Sequence, residues 1–166
     1  MDESSYKIFD RFFYGFPALL RQASTTLACG CAVDGRLDNE RLDRHQVSAY
    51  ELALSYAEYR AALVAWEGMA GPASDLQKAL CAVYMATAIQ SIRVRLEPLL
   101  LPLGIDPFDF DRIFDGMEMR SALQSCLEPG QLADIGREVI SLQADVGEVE
   151  LDDDKVMMQT AFRRLA

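Results

Sequence analysis

The chain has 166 residues, 51% hydrophobic and 25% charged, a composition typical of one globular domain with a sizeable core. Its 26 acidic residues outnumber 16 lysines and arginines, leaving a net charge of −10. This charge disfavours nucleic acids and anionic membrane surfaces as partners, because binding to both depends on basic residues. No signal-peptide pattern opens the sequence, and no run approaches the ~20 apolar residues that span a bilayer. Four cysteines are sparse for a disulfide scaffold, so we predict a cytoplasmic protein with reduced thiols.

An aromatic cluster near the amino terminus follows helical spacing. Large aromatic side chains are mostly buried, so core packing is the favoured interpretation and an exposed docking patch is the alternative. Pro17 follows the cluster and is expected to begin a helix or to kink one. The cluster consists of Tyr6, Phe9, Phe12, Phe13, Tyr14 and Phe16.

Residues 38–66 predict the helix around which the chain is organised. Asp34-Gly35 signals a turn, Asp38 is placed to cap the helix, and the helix should end near Gly68. A helix that is apolar on two sides and polar along a strip is typical of the centre of a bundle, so we expect the strip to face water. One apolar row is Leu42, His45, Ala49, Leu52, Tyr56, Tyr59, Leu63 and Trp66; the other is Val47, Tyr50, Leu54, Ala57, Ala61 and Val64; the polar row is Arg41, Arg44, Ser48, Glu51, Ser55 and Glu58.

Further helix starts are visible downstream. Ser74 lies three residues before a glutamine, the spacing of a capping box, and opens a second long, alanine-rich helix that reaches Pro98. Asp106-Pro107 predicts a short helix, residues 117–127 another, and Glu128-Pro129 a further one. No strand is predicted. We therefore expect an all-α, up-and-down bundle like a four-helix bundle with short extra helices, spanning residues 1–144 and followed by an acidic linker at 145–151.

The chemistry-bearing residues do not form a recognisable site. Cys29 and Cys31 are spaced too closely for a structural zinc site. His45, the sole histidine, lies in an apolar row and is more readily explained by packing than by catalysis. The acidic stretch 106–116 resembles a calcium loop, but Arg112 occupies a position where a ligand is needed. We predict no catalytic, cofactor-binding or metal-binding residue in this chain.

Two stretches resemble acyl-CoA dehydrogenases. Residues 40–62 with 79–90 are similar to a helix pair of that family's C-terminal four-helix bundle, and Gln46 matches a glutamine of its first helix. Residues 152–166, which open with three aspartates and reach Phe162-Arg-Arg, resemble the first helix of the family's N-terminal domain. In this order the chain resembles the helical N-terminal extension of methylsuccinyl-CoA dehydrogenase-like members, ending at the start of the dehydrogenase core.

The resemblance implies an accessory domain of an FAD-dependent acyl-CoA dehydrogenase, which desaturates an acyl-CoA at its α,β-bond. The domain would pack against the dehydrogenase core of the same polypeptide or of its dimer mate, and FAD and the acyl-CoA would bind to the parent enzyme. The chain departs from the family at residues 29–38, which lack the phenylalanine-glycine turn that meets the flavin, and no position matches the catalytic glutamate. The implied role is packing and shaping rather than catalysis.

Candidate interface residues for such a partner are the N-terminal phenylalanines together with Arg93 and Arg95, which would pair with acidic groups. The alternative hypothesis is a free-standing helical protein–protein interaction module without catalytic activity. Such a module would bind its partner through an apolar groove between helices.

Overall fold

The computed structural model describes residues 3–69 and 72–142, with side chains from residue 7 onward. It confirms the predicted all-α class. The linker predicted at 145–151 and the helix predicted at 152–166 lie outside the described residues. Within the described ranges the elements are α1 (Glu3–Gly30), β1 (Ala32–Val33), β2 (Arg36–Leu37), α2 (Asn39–Arg44), α3 (Gln46–Met69), α4 (Asp75–Leu96), a 3₁₀ turn (Glu97–Leu99), α5 (Pro107–Phe114), α6 (Met117–Cys126) and α7 (Pro129–Ser141).

Side-chain caps define where the helices begin. The Asp38 carboxylate accepts a hydrogen bond from the backbone N–H of Arg41 at 2.9 Å, which confirms the predicted N-terminal cap. Ser74 and Gln77 form the predicted capping box, each side chain bonded to the other's backbone N–H. Asp106 and Glu128 cap α5 and α7 by accepting the backbone N–H of Phe108 and of Gln131, and each precedes a proline at the first helical position.

The predicted central helix is two helices that meet at His45. The His45 N–H lies 3.2 Å from the Arg41 carbonyl and 3.0 Å from that of Leu42, so the last turn of α2 tightens and the helix ends. The ring of His45 lies beside Gly30, where an added Cβ would come within 3.6 Å of Nε2. The sole histidine therefore packs against the carboxyl end of α1.

A short hairpin joins α1 to α2, where we predicted a turn but no strand. Asp34 and Gly35 have φ of 49° and 74°, the two positive values that a type I′ turn requires. Strands of two residues are too short to show alternation in the sequence, which is why they were not predicted. The register pairs Ala32 with Leu37 and Val33 with Arg36.

The core is built around the N-terminal aromatic side chains. Phe12 and Phe16 are fully buried, with ring centroids 5.1 Å apart, and both pack edge-on to Phe114 of α5 at 5.5 Å. Tyr59 of α3 completes this group, 5.4 Å from the ring of Phe16. The core interpretation is confirmed for the four phenylalanines of the cluster, whereas Tyr14 is exposed and the side chain of Tyr6 lies outside the described part of the chain.

Pro17 lies inside α1 rather than at its start. A proline has no N–H, so it cannot donate to the carbonyl of Phe13 four residues before it. The hydroxyl of Tyr59 donates to that carbonyl instead, at 3.1 Å in the buried core. A contact between α1 and α3 thus replaces a hydrogen bond that α1 cannot make.

The buried face of α3 agrees with the prediction only in part: Leu52 and Tyr59 of the first apolar row are buried, but Tyr56 of that row is exposed. Ser48 and Ser55 of the polar row are buried, whereas Val47 and Tyr50 of the second apolar row are 68% and 62% exposed. Among the described helices, α3 and α4 share the most extensive contact. Small side chains let two helices approach closely, so the two serines of α3 and three of the four alanines of α4 are buried, and the bulkier row stays outside. The buried residues of α3 are Ser48, Leu52, Ser55, Tyr59, Ala62 and Met69.

Candidate functional site

An apolar cleft of about 620 Å³ opens between α1 and α3, and we call it the aromatic cleft. Tyr14 stands at its edge with 82% of its surface exposed. Trp66 stacks on Phe13, with ring centroids 5.6 Å apart. A concave, mostly apolar surface with a few polar groups is typical of a binding site. The residues that line the cleft are Asp10, Phe13, Tyr14, Pro17, Tyr59, Leu63, Trp66 and Glu67.

Helical periodicity places these side chains together. Tyr59, Leu63 and Trp66 recur at four- and three-residue spacing and therefore form one stripe of α3. Tyr14 and Pro17, one turn apart on α1, form the opposite wall. The sequence predicts the stripe of α3 as apolar, but it carries no sign that α1 and α3 leave a gap between them.

The cleft offers carboxylates and a phenol as its polar groups. Asp10 and Glu67 supply the carboxylates. Burial raises the pKa of Tyr59 above its ordinary value, so the phenol stays protonated at neutral pH. Its proton is donated to a backbone carbonyl, which makes Tyr59 a structural hydrogen-bond donor rather than a general base. The apolar lining and the two carboxylates of the cleft therefore suit a ligand or partner that presents an apolar group beside a positively charged one.

The predicted interface phenylalanines lie in the interior. Phe9, Phe12 and Phe16 have no exposed surface, so a partner docked on the folded domain would not contact them. Phe13 is 4% exposed and borders the aromatic cleft. Tyr14, which belongs to the same sequence cluster, is the side chain that presents aromatic surface to solvent.

Arg93 and Arg95 pair with acidic groups from within the chain. Arg95 lies between two glutamates of α3, with Nη1 2.5 Å from Glu58 Oε2 and Nε 3.4 Å from Glu51 Oε2. Arg93 Nη2 lies 2.9 Å from Asp115 Oδ2. All five side chains are partly buried, so these pairs tie α4 to α3 and to the turn that follows α5.

The cysteines of the described region are free thiols and do not converge on a metal site. Across 3–69 and 72–142, no group of three or more histidine, cysteine or acidic side chains is arranged to hold a metal ion. Cys29 is exposed, whereas Cys31 and Cys126 are buried. Burial raises the pKa of the Cys126 thiol, which lowers its nucleophilicity.

No described helix is long and apolar enough to cross a bilayer. Comparison with protein-family models finds none that matches the sequence, and a search of curated proteins finds no match either. At about 620 Å³ the aromatic cleft is larger than a second cleft of about 520 Å³ between α4 and α6.

Proposed function

We propose that this chain is a docking domain of an FAD-dependent acyl-CoA dehydrogenase, and that the aromatic cleft is where it packs against the dehydrogenase core. The observation that supports the proposal is the cleft itself, with the exposed ring of Tyr14 at its edge. Covering one large apolar side chain contributes about 1.5–3 kcal/mol. A partner surface that fills the cleft would therefore be held mainly by apolar burial.

The resemblance of residues 40–62 and 79–90 to the bundle helices of that family supports a dehydrogenase core as the occupant. In the parent reaction a base removes the α-proton and the flavin accepts a hydride. The domain would contribute neither group and would instead position or shape the core. Asp10 and Glu67 favour a core surface that presents arginine or lysine beside an apolar side chain.

A free-standing interaction module is the second candidate. The observation that favours it is the exposed apolar row of α3, which includes Val47, Tyr50 and Val64 and faces away from the buried side of that helix. Such a module would bind a partner without flavin. The two candidates therefore differ in a directly measurable property.

The experiment is to purify the complete natural gene product and to record its visible absorbance before and after adding acyl-CoA thioesters. We expect the bands of oxidised flavin, and we expect an acyl-CoA to bleach them by reducing the flavin. A colourless product would overturn the dehydrogenase proposal and leave the interaction module as the better explanation.

A matched pair of tyrosine variants tests the role of the cleft. In the flavin-containing product, we expect Tyr14→Ser to expose the junction between the domain and the core and to speed its limited proteolysis about tenfold. Tyr50→Ser, on the outer side of α3, is the control and should leave the rate unchanged. Both side chains are exposed, so neither change should unfold the chain. Faster cleavage with Tyr50→Ser alone would place the interface on α3 and refute the assignment of the cleft.

A further inference from the structure

A second cleft, of about 520 Å³, lies between α4 and α6, and we call it the arginine cleft. Its lining residues recur at three- and four-residue spacing, so each helix contributes one continuous face. Ile89, Phe114 and Leu123 are buried and form an apolar floor. The complete lining is Ile89, Gln90, Arg93, Val94, Phe114, Arg120, Leu123 and Gln124.

One carboxylate holds both arginines of this cleft in place. Asp115 Oδ2 accepts from Arg93 Nη2 at 2.9 Å, and Asp115 Oδ1 accepts from Arg120 Nε, also at 2.9 Å. Asp115 is itself the C-terminal cap of α5, where its N–H bonds to the carbonyl of Asp111 at 2.8 Å. The two guanidinium groups, one from α4 and one from α6, are thus fixed beside the same cavity.

These two arginines carry more hydrogen-bond donors than the Asp115 carboxylate accepts. A guanidinium carries several N–H donors and no acceptor. Glu97 Oε1 lies 3.7 Å from Arg93 Nη2, beyond hydrogen-bond reach, and its side chain is more than half exposed. Arg93 Nε is buried without a hydrogen-bond partner in the described part of the chain. The two cations therefore share one carboxylate within hydrogen-bond distance, that of Asp115, and a second, more distant and exposed carboxylate, that of Glu97.

We propose that the arginine cleft binds a small organic anion, with its carboxylate or phosphate group on Arg93 and Arg120. Guanidinium groups bind both kinds of oxyanion through paired hydrogen bonds. The hydrocarbon part of the ligand lies against Val94 and Leu123, and the volume of the cleft is within the range of small-molecule sites. The amide of Gln124 orients the ligand at the rim. This site is separate from the aromatic cleft and does not depend on the proposed dehydrogenase.

The test uses the full chain at low salt and follows binding by calorimetry and by amide NMR shifts. The probes are hexanoate, hexyl phosphate and hexan-1-ol, which share a hydrocarbon tail and differ in the head group. We expect saturable binding of at least one anion, with shifts at residues 120–124, and none of the alcohol; the tighter anion identifies the head group that the site prefers. Failure of both anions to saturate, or equal binding of the alcohol, would overturn the proposal.

Two arginine variants distinguish this site from general charge attraction. Arg120 is 61% exposed, so Arg120→Gln should fold normally and weaken anion binding about tenfold or more. Arg112 of α5 is 75% exposed and lies outside the cleft, so Arg112→Gln removes the same charge and should leave binding unchanged. An equal loss in both variants, or no loss in Arg120→Gln, would show that the cleft is not the binding site.

Discussion

Replacing Tyr59 by phenylalanine removes the hydroxyl that donates to the Phe13 carbonyl. Because Pro17 cannot supply the helical N–H, the variant leaves this carbonyl without its interhelical donor in the core. The aromatic packing is retained, since the ring of residue 59 still lies against Phe16. The change therefore isolates one hydrogen bond.

The expected cost follows from the burial of that bond. A buried acceptor left unsatisfied costs about 1–3 kcal/mol, whereas a solvent-exposed hydroxyl contributes within about 0.5 kcal/mol. With a urea m-value of about 2 kcal/mol/M, the unfolding midpoint of Tyr59→Phe should fall by roughly 0.5–1.5 M. Tyr56→Phe, at an exposed position of the same helix, is the control and should leave the midpoint nearly unchanged.

A double-mutant cycle with Pro17→Ala tests the mechanism itself. An alanine at this position restores an N–H that can donate to the Phe13 carbonyl, so Tyr59→Phe should cost at least about 1 kcal/mol less in that background. Urea unfolding of the four proteins, followed by circular dichroism, measures the coupling. Equal costs in the two backgrounds would refute the compensation between Pro17 and Tyr59.

The same residue predicts an alkaline limit of stability. Burial raises the pKa of Tyr59 in the folded state above its value in the unfolded chain. As the pH rises, the unfolded chain therefore loses the Tyr59 proton before the folded chain does. The contribution of the protonated phenol to the free energy of unfolding is complete below about pH 10 and is lost as the pH rises through the folded-state pKa. The free energy of unfolding of the unmodified chain should fall more steeply above that pH than that of Tyr59→Phe. Parallel pH profiles would contradict the burial effect.

Two pairs of substitutions and one labelling reaction have defined outcomes. Gly104 has φ +63°, and an added Cβ would lie 2.9 Å from a threonine hydroxyl of α1, so Gly104→Ala should lower the free energy of unfolding by about 1–2 kcal/mol. Gly136 lies in open space within α7, so Gly136→Ala is the control and should raise the free energy of unfolding by up to about 1 kcal/mol. A stabilising effect of Gly104→Ala would contradict the conformation of this turn. Arg95→Gln leaves two partly buried glutamates unpaired and should lower the free energy of unfolding in urea by about 1–3 kcal/mol. Arg137→Gln removes one partner of an exposed pair and should lower it by less than about 0.5 kcal/mol. Similar losses in the two variants would show that burial does not strengthen the Arg95 pairs. Cys126 should react with iodoacetamide, as followed by mass spectrometry, far more slowly in the folded chain than in urea, and equal rates would contradict its burial and raised pKa.

Local features of this protein could be predicted from the sequence. The capping box of Ser74 and Gln77, the Asp106-Pro107 start of α5 and the Asp34-Gly35 turn each involve residues only a few positions apart. Their backbone conformations and hydrogen bonds are set within that short segment, so the residue types alone indicate them. The helical class follows from the same local signals.

Packing between residues far apart in the sequence decided which helix faces are buried and where the clefts lie. Both sides of α3 carry apolar residues, and the choice of buried side depended on close approach to α4, which small residues such as Ser55 permit and Tyr50 does not. The hydrogen bond by which Tyr59 of α3 compensates for Pro17 in α1, and the packing of His45 beside Gly30, join residues that are far apart in the sequence. The two clefts are spaces between helices, which no single segment encodes. Residue periodicity determines the faces of each helix, whereas the shapes of all the neighbouring helices determine which face is covered.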